Sequence, residues 1–291
     1  MEFFPCKKID THLHLTFAPM EKGKGMYLSS FLEMLPHLEE LNIRKGFALS
    51  GGESAVPFGS NDMACSIAAA DPEHYAWMCN LDPVELETVY GRLKACKDRG
   101  AVGIGELMIN KPLNDPFLRA LFEAAGALKL PVTFHMSPEE GFSYGVVDRP
   151  GLPLLEQALA DFPETVFVGH SQCFWIEISG DAPTDRNGRQ SYGKGPVAPG
   201  GRVPELFEKY PNLYGDLSAN SAGTALMRDE AFGLAFLEKF RDRLFFATDM
   251  LNTDMRFPLG SWLDTMAAEG KLSLDAYEKI CWKNASRVYG V

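Results

Sequence analysis

The stretch KIDTHLHL, residues 8–15, predicts both a buried first strand and the first residues of a functional site. Side chains on a strand alternate between its two faces, so His12 and His14 point the same way. Their Cα atoms are then about 6.6 Å apart. Two imidazoles at that spacing can converge on one cation, whereas the alternative is a pair of packed, hydrogen-bonded histidines.

Seven further short apolar runs have the character of strands, and segments of helical period lie between most of them. Two of these segments carry helix-start signals, DPVELETVYGRLKACKDRG with Asp82 as N-cap and DPFLRALFEAAGALKL with Asp115 as N-cap. The seven runs are IRKGFALS (43–50), YAWMCNL (75–81), AVGIGELM (101–108), PVTFHMS (131–137), TVFVGHS (165–171), LYGDLSA (213–219) and RLFFATDM (243–250).

The spacing from strand to strand is roughly 30 residues, which is typical of βαβ units in a parallel sheet. Eight such units in 291 residues predict an α/β protein with a (β/α)8, TIM-like barrel. We expect one domain over residues 1–291, since no linker or low-complexity tract interrupts the pattern. A doubly wound open sheet is the structural alternative.

Composition narrows the class of protein. The chain carries 28 Lys+Arg and 39 Asp+Glu, a net charge of −11, which argues against nucleic acid and an anionic membrane surface as partners. We find no signal-peptide pattern at the start and no apolar run long enough to span a membrane. The six cysteines form no C-x-x-C motif, so we expect free thiols and a cytoplasmic location.

Ionisable residues also end several other predicted strands. His135 and His170 close the fifth and sixth strands, and Glu106 and Asp249 close the fourth and eighth. The carboxyl ends of barrel strands are where active sites are built. A lone buried carboxylate is costly unless it is paired or bound to metal, although Asp249 could instead cap a helix. Asp216, in YGDLS, is interpreted as structural or as a support for the site.

This pattern predicts a metal site. We expect His12, His14, His135 and Asp249 to bind a divalent cation. Imidazole with carboxylate suits zinc best, with manganese, iron, cobalt and nickel as alternatives.

The remaining groups have two open roles each, because the number of ions is one or two. His170 either binds a second ion or orients the reactive water. Glu106 bridges two ions or acts as a general acid/base at a single one. Asp249 can both bind the ion and accept the proton of a water whose pKa the metal lowers.

One connection is much longer than the usual 2 to 6 residues. SQCFWIEISGDAPTDRNGRQSYGKGPVAPGGR, residues 171–202, follows the sixth strand and is expected to be a functional lid or binding loop rather than a surface insertion. We predict substrate contacts from Trp175, Tyr192 and Arg202 in this loop and from Arg256. The cationic groups slightly favour an anionic small-molecule substrate.

The chain resembles the amidohydrolase superfamily, and its amidohydrolase-related (family 2) branch in particular. The resemblance is carried by IDTHLH (9–14), by TDM (248–250), by NASRVYG (284–290) and by the two strand-end histidines, His135 and His170. It implies a deformed (β/α)8 barrel, zinc or a similar ion, and hydrolysis. The branch also holds hydratases and decarboxylases similar to aminocarboxymuconate-semialdehyde decarboxylase. In those decarboxylases the fifth-strand histidine, here His135, is a ligand, and the sixth-strand histidine, here His170, works on the water.

The fourth strand departs from many binuclear members, which place a carboxylated lysine where this chain has Glu106. TatD-like deoxyribonucleases similarly use a strand-four glutamate. Glu106 therefore favours a two-metal hydrolase over a decarboxylase.

We accordingly predict a metal-dependent hydrolase that uses an activated water on an amide, lactone or ester bond. The alternative is a metal-dependent, non-oxidative decarboxylase of an unsaturated or aromatic carboxylic acid. A non-catalytic ligand-binding barrel and a nuclease are weaker interpretations, and a homo-oligomer is left open.

Overall fold

Eight parallel strands form a nearly closed barrel in the computed structural model, which describes residues 3–22, 26–54 and 59–291. The order in the sheet follows the chain, and a bridge between Leu13 and Met250 brings the last strand to the first. The predicted (β/α)8 barrel is therefore confirmed. The strands are β1 (Lys8–Leu13), β2 (Ile43–Leu49), β3 (Tyr75–Cys79), β4 (Gly103–Leu107), β5 (Val132–Phe134), β6 (Phe167–Gly169), β7 (Leu213–Asp216) and β8 (Leu244–Phe245).

Helices surround the strands, and two short strands, Met136–Ser137 and Val146–Val147, pair with each other beyond β5. A π-helical turn, Lys279–Lys283, joins the last two helices. The helices are α1 (Phe31–Glu40), α2 (Asn61–Ala70), α3 (Val89–Asp98), α4 (Pro116–Leu128), α5 (Pro153–Asp161), α6 (Gln172–Trp175), α7 (Arg186–Arg189), α8 (Arg202–Lys209), α9 (Ala219–Met227), α10 (Glu230–Phe240), α11 (Leu259–Ala268), α12 (Leu274–Glu278) and α13 (Asn284–Tyr289).

The two predicted helix starts have different outcomes. Asp115 caps α4 as expected, because its side chain accepts a hydrogen bond of 2.9 Å from the backbone N–H of Phe117. The prediction for Asp82 is wrong, since α3 begins only at Val89 after a 3-10 turn. The Asp82 carboxylate instead accepts hydrogen bonds from residues 53 and 54 on a neighbouring connection.

The barrel interior is filled by apolar side chains from six different strands. Ile9, Phe47, Met78, Val168 and Phe245 belong to one buried cluster, and side chains from so many strands can meet only inside the barrel. A larger cluster fills the layer between strands and helices. The polar strand ends therefore lie on an apolar, packed base.

The long connection after β6 is anchored to the barrel. Within it, α6, a 3-10 turn at Ile176–Ile178 and α7 precede α8. Trp175 is buried and donates from Nε1 to the backbone oxygen of Asp216 at 3.0 Å. Arg189 is also buried and donates to the backbone oxygen of Asp148 at 2.7 Å. This connection therefore forms a fixed wall beside the strand ends.

Among the described residues, none of the helices combines the length and the apolar character that crossing a membrane requires.

Candidate metal centre

Backbone contacts between β1 and the end of β8 fix the first ligands. The buried Asp10 carboxylate accepts from the N–H of His12 at 3.0 Å and from the N–H of Thr248 at 3.0 Å. The Thr248 hydroxyl donates to the other Asp10 oxygen at 2.5 Å. Asp249 has a left-handed backbone (φ 59°), and its N–H donates to the oxygen of His12 at 2.8 Å. Asp10 and Thr248 thereby hold His12 and Asp249 side by side.

Four side-chain atoms converge beside these contacts. His12 Nε2 and His14 Nε2 lie 3.3 Å apart, and Asp249 Oδ1 lies 3.6 and 3.4 Å from them, respectively. Glu106 Oε2 lies 3.8 Å from His12 Nε2 and 3.3 Å from His14 Nε2. Ligand atoms of a tetrahedral ion at 2.0–2.2 Å would be about 3.3–3.6 Å from one another. Four of these five separations fall in that range, and the fifth, 3.8 Å between His12 Nε2 and Glu106 Oε2, lies just above it.

The second oxygen of Glu106 faces another pair of histidines. Glu106 Oε1 lies 2.7 Å from His135 Nδ1 and 3.5 Å from His170 Nε2. Asp249 Oδ2 lies 3.7 Å from His170 Nε2, so Asp249 also reaches towards both sets. His135 thus lies with Glu106 and His170, whereas the sequence grouped it with the histidines of β1.

Partners behind the cluster orient two of the imidazoles. The Asp216 carboxylate accepts from His12 Nδ1 at 2.6 Å, which leaves Nε2 of His12 for the cluster. Ser218 Oγ lies 2.8 Å from His170 Nδ1, and its N–H donates to Asp216 at 2.8 Å. Such outer partners fix the tautomer and direction of metal-binding histidines. The supporting role predicted for Asp216 agrees with this position.

The buried carboxylates of the cluster are stabilised by positive charge close to them. Burial opposes the charged form, yet the Asp216 and Asp249 carboxylates raise the pKa of His12 well above its ordinary value. Burial likewise opposes charge on Glu106, but His135 and His12 hold its pKa well below the usual range. Burial lowers the pKa of His170, which favours its neutral, ligating form. Once the His12 proton is released, the buried carboxylates and neutral imidazoles form a donor set suited to a divalent cation.

Two further observations fit a metal ion. His135 Nε2 is buried and has no hydrogen-bond partner within the described part of the chain. The Nε2 atoms of His12 and His14 face each other at hydrogen-bonding distance, where only one of them can donate a proton to the other. His12 would bind a cation as its proton is released, since ligating imidazoles must be unprotonated. The residues present therefore fit a bound divalent cation, and they could hold one ion or two.

The six residues predicted for the centre come together, but the residues predicted to bind substrate have other contacts. Trp175 is buried, and its Nε1 donates to the backbone oxygen of Asp216. Arg202 is engaged by Glu156, by Glu205 and by the backbone oxygen of Gly151. Its role in substrate binding stays a prediction without a supporting contact.

The other two predicted substrate residues lie on the surface. The Arg256 guanidinium contacts His37 and Glu40. The Tyr192 hydroxyl accepts a hydrogen bond of 3.2 Å from Gln172. Neither has a direct contact with the ligand cluster within the described residues, so their roles also stay predictions.

Two residues near the centre were missed by sequence reasoning. Asp10 lies two residues before His12, so the i, i+2, i+4 spacing of D-T-H-L-H could have indicated it. Tyr144 packs on His135 with ring centroids 4.1 Å apart. Its position in the loop GFSYG carries no signal of that contact, because it depends on the pairing beyond β5.

Comparison with protein families gives one match that covers nearly the whole chain. The model of a family described as amidohydrolase matches residues 9–291. No curated protein sequence matches the chain significantly.

Several solved structures share the fold at low sequence identity. A 2,6-dihydroxybenzoate decarboxylase from Rhizobium is 16% identical with a TM-score of 0.63, covering 98% of this chain and 99% of its own. A probable 2-pyrone-4,6-dicarboxylic acid hydrolase from Acinetobacter baumannii is 14% identical with a TM-score of 0.58, covering 98% and 100%. A dihydroxybenzoic acid decarboxylase from a Polaromonas species, with bound manganese, is 16% identical with a TM-score of 0.61, covering 98% and 97%.

Proposed function

Because this chain belongs to the amidohydrolase family, we propose that it is a metal-dependent hydrolase that cleaves an amide, lactone or ester bond in a small molecule. The observation that carries the proposal is the position of Glu106. One of its oxygens lies with His12 and His14, and the other lies with His135 and His170. A carboxylate between two ligand sets is suited to bridging two ions, and two-ion sites are typical of hydrolytic enzymes.

Each ligand set has its own members in this proposal. His12, His14, Asp249 and one oxygen of Glu106 would hold the first ion. His135, His170 and the other oxygen of Glu106 would hold the second. Zinc suits this mixture of imidazole and carboxylate best, and manganese is the closest alternative.

The chemistry follows from how the residues are placed. A divalent cation bound by these residues would supply Lewis acidity, the chemistry that polarises a carbonyl group and makes a water molecule more acidic. Asp249 is the most accessible carboxylate of the cluster, with 26% of its side chain exposed, so it would accept the proton of the attacking water. His170, with Nδ1 on Ser218, has Nε2 directed at the cluster, where it would help to hold the second ion. With a single ion bound, the same Nε2 would instead orient the reacting water.

Counting metal ions tests this proposal most directly. We expect up to two ions per chain in protein purified without chelators, measured by inductively coupled plasma mass spectrometry. Glu106→Gln should retain at most one ion, and His12→Ala should lose the first. Glu177→Gln is a matched control, because Glu177 is equally buried but lies outside the cluster. Metal-free protein, or a Glu106→Gln variant that keeps two ions, would contradict the proposal.

A decarboxylase is the second candidate function. Two of the structural neighbours above are named as decarboxylases, and they cover nearly all of this chain. Release of carbon dioxide from hydroxybenzoates, with no hydrolysis of esters, lactones or amides, would favour this candidate. We infer a cytoplasmic setting for either reaction, because all six cysteines are free thiols.

A further inference from the structure

Tyr144 stands directly over one of the candidate ligands. Its ring centroid lies 4.1 Å from that of His135, with the two planes tilted by 39°. Burial raises the pKa of the Tyr144 phenol, and the nearby Glu106 and Asp249 carboxylates raise it further. The Tyr144 ring therefore contacts one candidate ligand directly.

The backbone around Tyr144 is firmly fixed. The N–H of Gly145 donates to the oxygen of Met108 at 2.9 Å, and its carbonyl accepts from Asn110 Nδ2 at 3.0 Å. Gly145 has φ +103°, and a Cβ there would lie only 2.6 Å from the backbone oxygen of His135. Glycine is thus required for this close approach, which holds the backbone next to Tyr144 against His135.

Tyr144 is 50% exposed although its ring packs on His135. Its hydroxyl makes no hydrogen bond with any other described residue. Tyr192, in the long connection, lies close enough to influence the charge of the Tyr144 phenol, and its side chain is also partly exposed. A fixed aromatic surface beside a polar cluster is a common feature of a substrate cleft, because flat rings pack well against planar ligands.

We propose that Tyr144 determines specificity at this site, where its ring forms one wall of the substrate cleft and selects planar, unsaturated substrates. This inference rests on the proposed function, since it needs the reacting group to lie at the ligand cluster. A saturated, flexible substrate would gain little from the same wall, because offset stacking requires two flat surfaces.

Two small hydroxamates with the same metal-binding group test this inference. Benzohydroxamate carries a flat ring and acetohydroxamate carries only a methyl group, and both are titrated calorimetrically into the zinc-loaded protein. We expect tighter binding of benzohydroxamate. Tyr144→Ala should weaken it about tenfold while changing acetohydroxamate less than twofold. Tyr144→Phe, which keeps the ring, should retain the preference.

Tyr90→Ala is the control for removing a half-exposed tyrosine, since Tyr90 lies on α3 and is 51% exposed. A Tyr144→Ala variant that keeps the preference, or a loaded protein that does not discriminate between the probes, would overturn this inference alone. Protein that binds no metal would overturn the proposed function and this inference with it. Metal content measured on the same samples separates the two failures.

Discussion

Buried charge has two different arrangements in this barrel. At the strand ends, His12, His14 and Glu106 bring ring nitrogens and a carboxylate oxygen within 3.3–3.8 Å of one another. Within the long connection, the buried Arg189 donates to the backbone oxygens of Asp148 at 2.7 Å and Arg149 at 3.3 Å. The first group converges on a shared space, whereas the terminal nitrogens of the second donate to neighbouring backbone oxygens.

The difference separates a ligand site from a structural contact. The Arg189 guanidinium also lies 3.7 Å from Glu177 and reaches the oxygen of Pro138, so it links the long connection to residues 138–149. Removing it should weaken the fold and leave metal binding intact. Removing a member of the strand-end cluster should do the opposite, because these side chains face one another and do not support neighbouring backbone in this way.

The largest effect is expected from Asp249→Asn. The substitution removes the proposed proton acceptor, so kcat for an ester or lactone substrate should fall about 10²–10⁴-fold with little change in the melting temperature. Steady-state kinetics and thermal melts measure the two quantities. Asp254→Asn is the control, since Asp254 lies in the same connection but is well exposed. Loss of stability equal to that of an Arg189 variant would remove the contrast between the two regions.

Arg189→Met should have the largest effect on stability. It leaves the carbonyls of Asp148 and Arg149 buried without this donor and the Glu177 carboxylate without its cationic neighbour, which costs about 3–5 kcal/mol of unfolding free energy. Urea unfolding measures this, and the number of bound ions should stay unchanged. Arg186→Gln is the matched control on α7, because the Arg186–Glu139 pair is exposed and contributes less than about 1 kcal/mol.

Metal content should be the deciding readout for that variant. A protein that remains folded but loses its ions would show that the Arg189 contacts position the centre as well as the fold. Unchanged stability would instead show that solvent replaces the guanidinium.

Asp216→Asn should act on metal affinity with a smaller effect. An amide oxygen can still accept from His12 Nδ1 but holds the imidazole less strongly, so affinity for zinc should fall about 10–100-fold. Competition with a chelating dye measures the affinity. The unfolding free energy of the metal-free protein should change less than in Arg189→Met. An unchanged affinity would mean that the Asp216 contact to His12 is structural only.

The sequence predicted the barrel and the candidate ligands because both depend on local periodicity. H-x-H follows directly from strand alternation, and His135, His170, Glu106 and Asp249 are visible as ionisable groups ending apolar runs. The division of ligands around Glu106 was not predictable, since it depends on which oxygen each histidine meets across the barrel. Tyr144 was missed for the same reason, because only the pairing beyond β5 brings it to His135.

The charged residues of the long connection show the same limit of prediction from local sequence. Its arginines have the same appearance in the sequence, yet Arg189 is 1% exposed, whereas 55% of the Arg186 side chain remains accessible. Burial of one arginine depends on backbone oxygens contributed by a segment about 40 residues earlier. Composition therefore suggested an anionic substrate, while the contacts show most of these cations already paired within the chain.

The smallest effect is a pH dependence in the structural region, tested with Asp148→Asn. Burial raises the pKa of Asp148 to about 6, above the value near 3.9 of an unfolded aspartate. The folded state then binds the proton more tightly than the unfolded chain. The contribution of Asp148 to stability consequently falls as the pH rises from 4 to 6, by an amount on the order of 1 kcal/mol. Because the asparagine variant does not titrate, its stability deficit should narrow over that range.

Urea unfolding at several pH values measures this deficit, with Asp161→Asn as the exposed control. The Asp148 carboxylate accepts backbone N–H groups of residues 149, 154 and 155, and Arg189 lies close to it. If these groups outweighed burial, its pKa would be lowered and the deficit would widen with rising pH. A widening deficit would mean that this region stabilises a buried carboxylate charge, as His135 and His12 do for Glu106 at the strand ends. A narrowing one would mean that burial dominates even where every oxygen is hydrogen-bonded.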